Sequence, residues 1–287
     1  MKMDEPWRRE DAARHRHRIG DAEAQRDDEQ TDEPEGEIEG SRPIPRPRIR
    51  HCRPPTSRSY QCRPEEQGVS FVALGFGVTY AMPMARGVFS APWFVHVHGA
   101  SALGWILLFI AQASLVRGRR TPLHRSVGPF LFPLALLVWA SGIATAVWAA
   151  QRDLPELGTE ATSSLAGTFT GLSLFLSLVV AAVAARRRPD WHKRLVMLAT
   201  VQVLWPAFFR LRHWLPDVPN PDIWFALVLA YSPILVAAAR DQWRYGRIHR
   251  VWLFVGPALV IEQSVEFALF DQEPMRSFGR FLFGALT

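Results

Sequence analysis

Apolar and polar positions divide this 287-residue chain near residue 66. Beyond that point apolar runs follow one another at roughly 67–83, 93–116, 127–150, 161–185, 195–211, 222–239 and 251–270, with short polar segments between them. Runs of about 18 to 25 residues match a hydrocarbon core of about 30 Å. In lipid every backbone N–H and C=O needs a partner within its own segment, so each run is expected as a helix. The pattern predicts an all-α fold: a polytopic transmembrane helix bundle of about seven spans over residues 67–287. The first run is the weakest, being short and carrying "GFG".

The first 66 residues hold 14 Lys/Arg and 16 Asp/Glu and no apolar period. Residues 20–40 are acidic, and 42–63 are basic and proline-rich. So little there can be buried that a disordered, charged N-terminal tail is expected over 1–66. Its basic half offers a contact for anionic lipid; a solvated tail is the simpler account. Cys52 and Cys62 both lie in it, at a spacing that is neither a zinc nor a redox motif. They are expected as reduced thiols. No secretory signal is visible, because the first apolar stretch is far from Met1.

Charge orients the bundle. The loops 117–126, 186–194 and 240–250 are arginine-rich, whereas 151–160 and 216–222 carry acids. Positive loops stay inside, so a multi-pass protein of a cytoplasmic membrane is expected, with its N-terminus cytoplasmic and its C-terminus outside. Trp93, Trp148, Trp214 and Trp224 then fall at outer ends and Trp191, Trp243 and Trp252 at inner ends, as interfacial belts. The sequence pI near 10.0 follows from these loops, and the expected partner is the lipid bilayer rather than nucleic acid.

Three cytoplasmic boundaries share one unit: "RRTPLHRSVG", "RRRPDWHKRLV" and "YGRIHRVWL". His124, His192 and His249 would therefore begin three parallel helices at one depth, where the helix dipole and an adjacent cation favour the neutral ring. Neutral imidazole ligates metals and haem iron. If the three helices are neighbours, these rings could hold haem b or a metal ion, with a redox partner or quinone unidentified. His98 and His213 would form a weaker outer pair. His98 shares a helix face with Ser101, Trp105, Leu108 and Gln112, which points it into the bundle; His96 shares one with Ala100, Leu103, Leu107 and Ile110. The simpler account makes every boundary histidine an interfacial residue beside an anchoring Arg.

Three further features carry candidate chemistry. Glu262 and Glu266 lie one turn apart within the last run, where an ionised carboxylate is costly. They suggest a proton path, a hydrogen-bonded structural pair, or a segment that does not fully cross. Arg210 would hold an anionic group near His213 or snorkel to the interface. "GTFTG" at 167–171 has the spacing of close-packed membrane helices. There is no Gly-rich phosphate loop, HExxH or nucleophile elbow.

"HVHGASALGWILLFIAQASLVRGRRTPLHRSVG" together with "RRRPDWHKRLVMLATVQVLWPAFFRL" resembles a group of uncharacterised bacterial multi-spanning membrane proteins, a domain of unknown function. The similarity spans roughly residues 94–212 and rests on His98, Gln112, His124, Arg125, Gly128, His192, Lys193, Arg194 and Arg210. It implies a membrane bundle and no established activity. The charged tail is outside the resemblance, and the first span looks truncated beside it, which points to a start downstream of Met1. Three classes remain open: a haem- or metal-binding redox protein, a proton-coupled transporter, and an accessory membrane protein without a cofactor.

Overall fold

The computed structural model describes residues 75–88 and 90–287. The charged tail with Cys52 and Cys62, and most of the first apolar run, lie outside the described residues. Every described element is a helix. After a π-helical turn Gly77–Ala81 come α1 (Met82–Ala85), α2 (Trp93–Arg117), α3 (Thr121–Val127), α4 (Leu131–Leu157), α5 (Thr159–Ala184) and α6 (Pro189–Phe209). A π-helical stretch Asp222–Leu229 then leads into α7 (Ala230–Tyr245), followed by α8 (Arg250–Leu269) and α9 (Glu273–Leu286). Six segments are long and apolar enough to cross a membrane: Trp93–Arg117, Thr121–Leu157, Thr159–Arg187, Pro189–His213, Asp222–Tyr245 and Arg250–Leu269. The chain is a multi-span helical membrane bundle.

The connections are shorter than the charge pattern suggests. Thr121–Val127, expected as loop, is helical, with Pro122 in its first turn, where a missing N–H costs nothing. A 3-10 turn Gly128–Phe130 joins it to α4. The expected loop 151–160 is also mostly helix: α4 runs to Leu157, and the reversal is made by Gly158 alone, at φ 57°, a left-handed conformation that glycine adopts freely. Short links force neighbouring helices to lie antiparallel, so α2 packs on α4, α4 on α5 and α5 on α6. The last two spans pack on α6 and on each other.

The core forms where α2, α5 and α6 meet. Trp105 and Phe175 are both fully buried, edge to face at 4.9 Å. The Trp105 indole N–H donates to Thr200 Oγ1 at 3.3 Å, so this large ring carries its polar atom inward at no loss. Leucines at 103 and 107 face outward, which makes that side of α2 the lipid face.

α9 was not foreshadowed by the apolar runs. Its charges Glu273, Arg276 and Arg280 break the run, but its apolar residues recur at helical spacing. It folds back on α5 and α4, burying Leu282 beside Ala150, Leu165 and Ala166. Gly279 rests on the backbone of Thr162 and Ser163, so closely that a Cβ there would strike the Thr162 carbonyl. Asp271 secures the approach, accepting from Arg276 at 2.6 and 3.1 Å and from Ser163 at 3.4 Å. These bonds hold its carboxyl down at about 2.

At the arginine-rich end, Arg194 is buried. Its Nε and Nη2 donate to Asp241 Oδ2 at 2.8 and 2.6 Å, and the Trp252 indole N–H donates to the same oxygen at 2.9 Å. Trp252 is therefore no interfacial belt residue, in contrast to Trp243, which is 92% exposed. One carboxylate ties α6, α7 and α8 together.

Candidate functional site

Polar side chains converge in the half of the bundle nearer the acidic loops. Glu262 and Glu266 stand about 18 and 24 Å along α8 from Arg250, counting rise per residue. Both are partly buried and face inward on one side of the helix, beside the fully enclosed Gln263. α5 makes room for them. Its Gly167 backbone lies against the Glu266 carboxyl, and a Cβ at 167 would overlap Oε1. One turn on, Gly171 faces the Gln202 amide and the Trp205 indole. The "GTFTG" spacing thus admits polar groups: what looks like a helix-packing motif is a bare strip facing α8 and α6.

Tyr231 links the helices. Its hydroxyl lies 3.0 Å from both Gln202 Oε1 and Gln263 Oε1. A phenol has a single proton to donate, so it satisfies one amide oxygen at a time. Gln202 and Gln263 are 2% and 0% exposed, yet among the described residues their Nε2 atoms make no well-directed hydrogen bond, nor does Glu262 Oε2, although the Gln202 amide adjoins that carboxyl. Glu262 lies beside Gln202 and Glu266 beside Thr170. No ion pair among the described residues includes either glutamate. A carboxyl pair enclosed among amides, a phenol and glycines, without a cation, is a place where a proton can be held and passed on.

The three boundary histidines are not equivalent. His249 is the N-cap of α8, and its Nδ1 accepts from the Val251 N–H at 3.2 Å. Burial first, then the charge of Arg194, push its pKa below the ordinary histidine value, so the ring is a neutral acceptor with its proton on Nε2. His124 and His192 instead lie one turn inside α3 and α6, whose first residues are Thr121 and Pro189. The Gln112 amide, oriented to satisfy its surroundings, donates to the carbonyl and Nδ1 of His124 and accepts from the Gly128 N–H at 3.2 Å. His124 therefore also carries its proton on Nε2. His192 Nδ1 meets the Ala182 carbonyl at 2.8 Å, so here Nδ1 holds the proton and Nε2 is bare. Only His249 stands at the start of its helix, because the shared sequence unit is cut at different points by Pro122, Pro189 and Gly246; His124 and His192 nevertheless lie within electrostatic range of each other. Among the described residues no three His, Cys, Asp or Glu side chains are grouped to hold a metal ion.

His98 turns inward as its stripe predicts: Ser101, Trp105 and Gln112 are buried, and the ring lies against Gly142, with Nδ1 3.4 Å from Ser141 Oγ. His96 is not a bare lipid-facing ring, since its Nδ1 is 2.6 Å from the Tyr80 hydroxyl. His213 is exposed in the 3-10 turn Arg210–His213. Arg210, just past the Pro206 turn, donates to the Pro206 carbonyl at 2.7 Å and to Thr79 Oγ1 at 3.1 Å. Of the residues sharing the multi-spanning resemblance, Gln112, His124 and Gly128 form one contact set, and Arg194 finds its partner in Asp241.

Gln202, Tyr231 and Gln263 were missed by the sequence reading. A buried Gln one position after Glu262 and a Tyr within a span are visible signals, but their pairing crosses from 202 to 231 to 263 and has no local trace. Comparison with family models, curated proteins and solved structures finds no match to this chain.

Proposed function

We propose that this integral membrane protein is a proton-coupled carrier whose proton site is the Glu262–Glu266 pair, served by Gln202, Tyr231, Gln263 and Thr170. The observation that carries the proposal is the seat of Glu266. Its carboxyl occupies space that exists only because residue 167 has no side chain, and no cation among the described residues is paired with it. An uncompensated carboxylate in a bundle core is costly, and a proton is the simplest ion that relieves the cost reversibly. The alternating loop charges and the resemblance to bacterial multi-spanning proteins support a cytoplasmic membrane location with arginine-rich loops inside.

The test is infrared titration of purified protein in lipid vesicles. A carboxyl C=O band should appear and vanish reversibly with pH, be abolished by Glu266→Gln, and shift in Glu262→Gln. Proton uptake by the same vesicles under an imposed membrane potential should fall at least tenfold in Glu266→Gln. A wild-type protein with no titrating buried carboxyl would end the proposal.

A haem or metal reading retains one specific support. His192, with Nδ1 fixed on a carbonyl and Nε2 bare, has the arrangement that orients a ligating imidazole. A reduced-minus-oxidised spectrum of wild type and His192→Ala decides it: a bound chromophore lost in the variant supports it, and an unchanged spectrum removes it.

A further inference from the structure

At the acidic-loop end of α6 two guanidinium groups stand without a counter-charge among the described residues. Arg210 is 4.5 Å over the Phe76 ring, and Arg212 is 3.7 Å over the Phe209 ring. The flat faces of both are thus covered by aromatic carbon, leaving their N–H edges to act. Arg210 commits Nε and Nη1 to Thr79 and Pro206. Arg212 Nη1 is enclosed and has no hydrogen-bond partner among the described residues. No carboxylate among the described residues pairs with either arginine. The two cations repel each other, and the His98 ring lies within electrostatic range of Arg210. Arginines that merely snorkel direct their donors to water; an enclosed, unpaired donor on a cation is instead a costly arrangement that an anion would relieve.

The geometry points to a binding site for a phosphate-class oxyanion at Arg210 and Arg212. Guanidinium edges match tetrahedral oxyanions through paired N–H···O bonds, and the stacked rings hold both groups in place before the anion arrives. The anion is either a free inorganic oxyanion or the phosphodiester of a lipid headgroup, since the site lies at the end of a span. It stands apart from the proton site, sharing none of its residues.

The probe is inorganic phosphate, added at constant ionic strength to delipidated protein in detergent, with chloride as the reference. Wild type should show a saturable rise in melting temperature of about 3 °C or more, as a ligand that prefers the folded state requires. Arg212→Gln should lose that rise and Arg212→Lys should keep part of it. In a second arm, phospholipid retained through mild purification is measured by phosphorus content. Phospholipid held by wild type and released by Arg212→Gln identifies the headgroup as source, whereas a phosphate-dependent rise without retained lipid identifies a free anion. The site is refuted if phosphate acts no differently from chloride and no lipid is retained, or if a folded Arg212→Gln protein behaves as wild type in both arms.

Discussion

His249 gives a reason for histidine where Asn or Ser would be the common cap. As a neutral ring it offers Nδ1 to the Val251 N–H, while Trp191 packs edge-on against it at 5.4 Å, a contact a smaller cap cannot make. Arg194 and Lys193 oppose its protonation; Asp190 and Asp241 favour it and are outweighed by burial and Arg194. Its folded value is below the ordinary 6.5, so below that pH the unfolded chain binds more protons than the folded one. Stability present above pH 6.5 is therefore lost as pH falls from 6.5 toward the folded value. Melting temperatures of wild type should decline over that window, and the His249→Asn protein, still capped, should show a shallower decline. A ring titrating above 6.5 in labelled protein would mean that the aspartates outweigh Arg194. Such detail was beyond the sequence, in which all three boundary histidines look alike. Their tautomers are set by Val251, Gln112 and Ala182, and only His249 has its partner in the adjacent sequence.

Among helices, legibility followed the kind of apolar pattern. The six spans are plain because a continuous apolar run has no stable place but lipid. α3 and α9 were hidden because their charges, Arg125 in one and Glu273, Arg276 and Arg280 in the other, read as loop or tail. The glutamates of α8 stood out by being expensive, but their partners on α6 and α7 did not, since Gln and Tyr inside a span raise no comparable signal. Gly167 and Gly171 were visible as a spacing whose meaning depends on what lies opposite. α9 makes a separate test of close approach. Gly279→Leu places a side chain against the Thr162 carbonyl, and overpacking of this kind costs about 1–3 kcal/mol. Amide exchange in α9 should accelerate sharply while exchange in α6 stays unchanged. If α9 stays protected, the contact is more compliant than its geometry implies.

For the molecule as a whole, the arrangement of turns refines the expected topology. The reversals lie at Gly118–Arg120, Gly158, Arg188, the 214–221 segment and Gly246–His249. Reporter fusions after residues 119, 158, 188, 218 and 247 should read inside, outside, inside, outside, inside, because arginine crowds alternate turns. An outside signal at 188 would overturn the orientation. Six spans are described; whether the first run adds a seventh determines only the side on which the tail lies, not the sides of these five turns.

The Asp241 carboxylate gripping Arg194 and Trp252 has a mechanical meaning. It acts as a rivet through three rods at one end, whereas about 15 Å along the same rods the Tyr231 hydroxyl, with one proton to donate, can hold only Gln202 or Gln263 at a time. Rods joined in this way splay like the blades of a fan, and displacement grows with distance from the rivet. A tilt of about 10° about it would move a point about 15 Å along α8 from Trp252, the height of Glu262, by roughly 3 Å. That is the width of a single-file water path. Such a tilt would open the acid pair to water from the acidic-loop side while the arginine-rich side stays shut.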